Sequence, residues 1–319
     1  MDGKSKYIIA PLIALFLSTM IYLSFINSFH NYGPQGTRFA NILDAYPQLP
    51  EGSILFLGDS QIREGIDCEV IGDDKCFNLG LAGLLPIQLA LEKDRIIKAE
   101  PDTVVIGVSA PFFDESINKN DDLFMLLNGH VEIDDFLLKR LTPEEKDLLM
   151  MNYFEKAMYK RKFILPLYFG ILKQIMYPTE VGPNIVSNFK NPHFFTEQQN
   201  IKKLTAKLQD TEIMRIFQIE KSSKRERDSF HYLLRKLKDA GINVIILHMP
   251  NNPLTDKVIP ESSKKNFNEY LTDLAKTVNV PIINYSGFDI DDFSDLTHLN
   301  QKGSKKLSLK LRGEENIIQ

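Results

Sequence analysis

Five short stretches of this chain are apolar at nearly every position, without the in–out alternation of a half-exposed strand. They are Ile54–Leu57, the run that begins Cys76-Phe77-Asn78-Leu79, Thr103–Val108, Asn243–His248 and Pro281–Asn284. Unbroken apolar strands rich in β-branched residues mark a sheet covered on both faces. Between them the spacing of apolar residues lengthens to that of helices. Pro86 opens a predicted helix over Ile87–Ala99, with Ile87, Leu91, Ile96 and Ile97 at helical intervals. Residues 222–240 predict an amphipathic helix ended by Gly241, Glu261–Val278 predicts another, and a last one begins near Gln301. This alternation predicts an α/β fold, a flavodoxin-like three-layer α/β/α arrangement around a five-stranded parallel sheet.

The pattern is interrupted twice. From about 115 to 220 the alternation stops, and helical sequence carries aromatic and methionine residues such as Phe124, Phe136, Met150, Tyr153 and Phe163. We read this as a helical insertion whose aromatics pack internally, a common way to build a cap over a site. Near the N-terminus, residues 7–26 contain no charge, and twenty helical residues span ~30 Å, the thickness of a bilayer's hydrocarbon core. Lys4 and Lys6 precede this run and no basic residue follows it until Arg38, which puts the N-terminus in the cytoplasm. The expected organisation is a cytoplasmic tip and single transmembrane anchor (1–28), a tether (29–52) and an extracytoplasmic α/β domain (53–319). The tether includes one short predicted helix near Phe39–Tyr46, ended by Pro47 and Pro50.

Composition narrows the chemistry. The 319 residues are 43% hydrophobic and 25% charged, and 38 basic against 42 acidic residues leave a net charge of −4 with no long run of one sign. No basic face for nucleic acid is expected. Cys68 and Cys76 are too few for a structural zinc site. Outside the cytoplasm they could close a disulfide; inside it they would be core residues or free thiols. His130, His193 and His231 lack metal-ligand spacing, and the glycines after the first strand do not form a phosphate-binding G-x-G-x-x-G, so no metal or cofactor is expected.

What remains is acid–base and nucleophilic chemistry. The first apolar run stops in Gly58-Asp59-Ser60, which sets a serine at the carboxyl end of a buried strand, the edge where open α/β sheets bind ligands. After the last strand comes Ser294-Asp295-Leu296-Thr297-His298. An acid three residues before a histidine can hold Nδ1 and leave Nε2 to take a proton from a serine. Ser60, His298 and Asp295 are therefore candidates for one triad. Arg63 reads as a solvated first-turn residue, and His248, at the end of the fourth strand, as a residue lining the same edge.

With these blocks in view, the chain resembles the SGNH (GDSL-type) hydrolase superfamily. Gly58-Asp59-Ser60 corresponds to the nucleophile block, Gly80 to the second, Gly107-Val108-Ser109-Ala110 to the third, and Asp295-x-x-His298 to the last. The resemblance implies that Ser60 attacks an ester carbonyl, with His298 as base and Asp295 orienting it. It also implies an oxyanion hole from the Ser60 amide, the Gly80 amide and the third block. There the family's asparagine is replaced by Ser109, a shorter donor. The anchor and this altered block are similar to membrane-tethered SGNH-like proteins of cell-surface O-acylation, such as those of teichoic-acid D-alanyl transfer and alginate O-acetylation. That likeness implies a surface polysaccharide or polymer as substrate and a membrane-bound O-acyltransferase as partner. It leaves open a transferase, a simple deacylase and a non-catalytic scaffold.

Overall fold

All five apolar runs are strands of one sheet: β1 (Ile54–Leu57), β2 (Cys76–Asn78), β3 (Thr103–Val108), β4 (Asn243–His248) and β5 (Ile282–Asn284). The computed structural model of the chain describes residues 16–20, 33–114, 132–151, 155, 185–192 and 215–314. Every pairing is parallel, and the strands lie in the order β2-β1-β3-β4-β5. Ile54 is in register with Cys76 on one side and Thr103 on the other, and Thr103 with Asn243. The chain steps outward from β1 to β2, then returns across β1 to β3. The order thus reverses between β1 and β3, the switch point at which doubly wound sheets open a crevice at their carboxyl ends.

The unbroken apolar character of the strands follows from burial on both faces. Leu55, Leu57, Val104, Ile106, Val244 and Ile246 pack into one core, and their neighbours Ile54, Phe56, Val105, Ile245 and Leu247 into the other. The first core is closed by α1 (Gly33–Ala45), α4 (Pro86–Leu91), α5 (Lys93–Lys98), α8 (Lys224–Asp239) and α10 (Glu261–Val278). The second is closed by α2 (Ser60–Gly65), α3 (Cys68–Ile71) and α11 (Gln301–Arg312), whose Leu307 and Leu311 are fully buried. This is a three-layer α/β/α arrangement. Between β3 and β4 the described residues include α6 (Asp135–Leu138) and α7 (Pro143–Met150), and α9 (Pro253–Val258) precedes α10. Phe136 of α6 stacks on Tyr232 of α8 with ring centroids 4.2 Å apart, so this part of the insertion packs on the domain.

The structure departs from the sequence reading at two places and decides one pairing that the reading left open. The helix expected over Ile87–Ala99 is two, because Glu92 sits at φ −87°, ψ 0° and turns the chain between α4 and α5. The short helix expected near Phe39–Tyr46 within the tether is the longer α1, and its Phe39, Ile42 and Ala45, with the following Tyr46, are buried in the first core. The domain's packing thus begins well before residue 53. Cys68 and Cys76 are joined in a disulfide with Cα atoms 5.4 Å apart, tying α3 to the start of β2. Of the predicted anchor, only residues 16–20 are described; they are helical, and Phe16 and Leu17 are exposed. Among the described residues no helix is long and apolar enough to cross a membrane, and most of 7–26 lies outside them.

Candidate active site

β1 runs directly into the turn that presents Ser60. Gly58 makes this turn at φ +148°, a conformation that L side chains rarely adopt, and an added Cβ would lie 2.9 Å from the Gly107 carbonyl oxygen. Asp59 caps α2, its Oδ1 accepting the Gln61 N–H at 2.8 Å. Ser60 is the first residue of the helix, so its own N–H has no acceptor within α2. The sequence pattern of an apolar strand, a glycine and a capping aspartate thus fixes the hydroxyl at the switch point.

The 289–300 loop brings the other two groups. Phe293 and Leu299 bridge across it, the Ser294 N–H donates to the His298 carbonyl at 2.9 Å, and Asn300 caps α11. From α9, after β4, the fully buried N-cap Asn252 donates through Nδ2 to the Asp295 carbonyl at 2.7 Å, and Thr255 through Oγ1 to the Leu296 carbonyl at 2.8 Å. Sequence reasoning missed both anchors, although Asn252-Pro253 is a recognisable cap-and-first-turn signal.

With the loop held, the three side chains meet. Ser60 Oγ lies 2.7 Å from His298 Nε2. His298 Nδ1 lies 2.8 Å from Asp295 Oδ2 and 3.0 Å from Oδ1. Asp295 Oδ1 also accepts the N–H groups of Thr297 and His298, each at 2.8 Å. The carboxylate is therefore fixed by its own loop before it orients the ring. With Nδ1–H directed at Asp295, Nε2 carries the lone pair that accepts the Ser60 proton.

The electrostatics agree with those roles. Burial works against a charged imidazole, but the hydrogen bond and charge of Asp295, reinforced by Glu64 and Asp59, raise the His298 pKa above its ordinary value. Burial alone would raise the Asp295 pKa; the His298 hydrogen bond and charge, with the two backbone donors, lower it instead. Asp59 behaves differently: burial pushes its carboxyl up to about 6, against the Gln61 N–H and the nearby His298. The His298 and Asp295 side chains are 20% and 14% exposed, so the imidazole is largely withdrawn from bulk water while one edge remains accessible.

Gly80 sits against α2, where an added Cβ would lie 2.4 Å from the Arg63 backbone nitrogen. Its N–H, expected to face an oxyanion, donates to Asn78 Oδ1 at 3.0 Å. Ser109, at the end of β3, is 2% exposed, and its hydroxyl has no hydrogen-bond partner among the described residues. Arg63 is not solvated as expected: it is 1% exposed and pairs with Glu64 at 2.7 Å. His248 lines a cavity of about 350 Å³ at the carboxyl ends of β3, β4 and β5, with Ala110, Met249, Lys264, Phe267 and Asn284, as its position at the strand end predicts. The triad residues do not line this cavity. His231 makes no metal cluster, and among the described residues no group of acids, histidines and cysteines could hold a metal ion; His130 and His193 lie outside them. A serine, a histidine and an aspartate in this arrangement can perform acyl transfer. No family model matches this chain, and no curated protein matches it.

Proposed function

We propose that this chain is a membrane-anchored, extracytoplasmic serine O-acyltransferase or esterase of the SGNH type, acting on acyl esters of a cell-surface glycan or polymer. The observation that carries the proposal is the continuous contact from Ser60 Oγ through His298 to Asp295 at the sheet's switch point. His298 Nε2 takes the Ser60 proton as Oγ attacks the ester carbonyl, and Asp295 stabilises the imidazolium that forms. The tetrahedral oxyanion collapses, His298 returns the proton to the departing alcohol, and the acyl group remains on Ser60. An incoming hydroxyl, of a polymer or of water, then repeats the sequence in reverse. No metal or cofactor enters this scheme.

The uncharged run at 7–26 and the Cys68–Cys76 disulfide, a bond of oxidising compartments, support an outward-facing domain. Delivery of acyl groups by a multi-pass O-acyltransferase in the same membrane fits that topology. A serine-directed fluorophosphonate should label the wild-type chain and fail to label Ser60→Ala; labelling that survives the substitution removes Ser60 as nucleophile. Mass spectrometry of the surface polymer then separates transfer from hydrolysis, since loss of the protein lowers acylation in the first case and raises it in the second. A second reading, a scaffold for the acyltransferase that retains the fold without turnover, draws on the engaged Gly80 N–H. It predicts normal polymer acylation in Ser60→Ala and His298→Ala cells, and loss only on deletion of the domain.

A further inference from the structure

Arg38 stands in α1, on the stretch that links the predicted anchor to the domain, and no part of the triad chemistry uses it. Its side chain nevertheless crosses to the second block. Nε donates to the Gly80 carbonyl at 2.8 Å and Nη2 to the Asn78 carbonyl at 3.1 Å. The guanidinium fork thus grips the two carbonyls on either side of Leu79. The other face of the same segment is tied to the nucleophile strand. The Leu79 N–H donates to the Phe56 carbonyl at 2.9 Å and the Leu81 N–H to the Gly58 carbonyl at 3.0 Å. Asn78 Nδ2 donates to the carbonyls of Ile62 and Ile66, at 3.0 and 2.8 Å, at the end of the Ser60 helix. Segment 78–81 is therefore a shelf beside Ser60, clamped from the sheet side by backbone and from the outer side by Arg38.

The clamp is electrostatically expensive. Arg38 is partly buried against carbonyl oxygens and the Phe189 ring, 5.3 Å away. Burial, then the neighbouring Arg63 charge, lower its pKa to about 9. A cation held there without a carboxylate among its hydrogen-bond acceptors in the described residues costs stability relative to a shorter apolar residue. A purely structural requirement to fill this space would be met by leucine or methionine.

We infer that Arg38 is a positioning residue, which sets the Gly80 segment against Ser60 and joins the N-terminal helix to the oxyanion side of the site. This rests on the acyl-transfer reading for its consequence in rate, and on the hydrogen bonds alone for its consequence in structure. A fragment starting at residue 53 would keep the whole triad and lose the clamp.

The test uses the full chain in detergent micelles, with Arg38→Met and Arg38→Lys, and two readouts. Fluorophosphonate labelling of Ser60 should slow roughly 100-fold in Arg38→Met, as expected when a supporting shell lets a site drift by about an ångström. Arg38→Lys should recover part of that rate, since an ammonium keeps the charge but lacks the fork. Amide hydrogen exchange should accelerate over 77–83 in Arg38→Met and stay unchanged in β4. Exchange and labelling equal to wild type would overturn the inference. So would faster exchange throughout the sheet, which marks a general packing role. If wild-type Ser60 resists labelling while 77–83 still loosens in the variant, the acyl-transfer reading falls and the positioning role stands.

Discussion

Ser60 Oγ and His298 Nε2 lie 2.7 Å apart although 238 positions separate them in the chain. Contact of this kind requires that β1 and the loop after β5 finish at one edge of the sheet, which the all-parallel order guarantees. If the contact is catalytic, His298→Ala should depress phosphonate labelling about as strongly as Ser60→Ala, and the double variant should add little. Triad members act as a unit, so their losses do not sum. Labelling losses that multiply would count against a shared proton path.

Asp295 gives a prediction with a sign in pH. The base is active when neutral, and its folded pKa is raised, so labelling should climb with pH through a midpoint above the ordinary imidazole value of about 6.5. In Asp295→Asn the carboxylate's charge and charge-assisted hydrogen bond are gone, while burial, which lowers the pKa, and only the smaller raising charges of Glu64 and Asp59 remain. The midpoint should move to lower pH while the plateau falls by about 10⁴. A pH–rate series for both proteins checks this, and an unmoved midpoint would contradict the Asp295 assignment.

Ser109 should show opposite effects on stability and rate. Its hydroxyl is buried and unpartnered among the described residues, a state that costs about 1–3 kcal/mol. Ser109→Ala should therefore leave the denaturant midpoint unchanged or raised. If that hydroxyl donates to the oxyanion, the same substitution should slow acylation by about 10²–10³. Equal rates in the two proteins would restrict the oxyanion hole to backbone donors.

Gly58→Ala tests the turn itself. The substitution must accommodate φ +148° and a Cβ placed 2.8 Å from Ile62 Cγ1, for a cost of roughly 2–4 kcal/mol in chemical denaturation. Because the turn carries Ser60, labelling should fall further than stability alone predicts.

The Cys68–Cys76 bond closes a short loop, which limits what it contributes. Chain-entropy reasoning for a separation of 8 gives roughly 2.5 kcal/mol. Converting both cysteines to alanine should lower the unfolding free energy by about that amount while Ser60 still labels, and mass shifts on alkylation before and after reduction report the bond directly.

The strands were legible because burial on both faces leaves an unbroken apolar run, visible without knowing what covers it. The candidate site was legible because strand-end turns advertise themselves: Gly58-Asp59-Ser60 and Asp295-x-x-His298 each join a turn signal to a polar group that can do chemistry. Other features depend on contacts that no local pattern records. Arg63 reads as solvated because its neutralising partner, Glu64, is its immediate neighbour and no periodicity marks a buried adjacent pair. The short helix near Phe39–Tyr46 was legible, but its start at Gly33 was masked by the flanking Gly and Pro residues, and nothing local marks Phe39, Ile42 and Tyr46 as part of the core. The engagement of the Gly80 N–H by Asn78 is set by a side-chain rotamer, below the resolution of motif reading.

The strand order also sets a timetable for synthesis. β3 pairs with β1 on one side and with β4 on the other, and β4 starts at Asn243 whereas β3 ends at Val108. At about 5–20 residues per second, a ribosome needs roughly 7–27 s to deliver the missing neighbour. During that interval a six-residue strand, buried at every position in the finished fold, presents an unsatisfied edge. The interval between β3 and β4 is therefore where destabilised variants of this protein should be lost to aggregation, read as the insoluble fraction on expression.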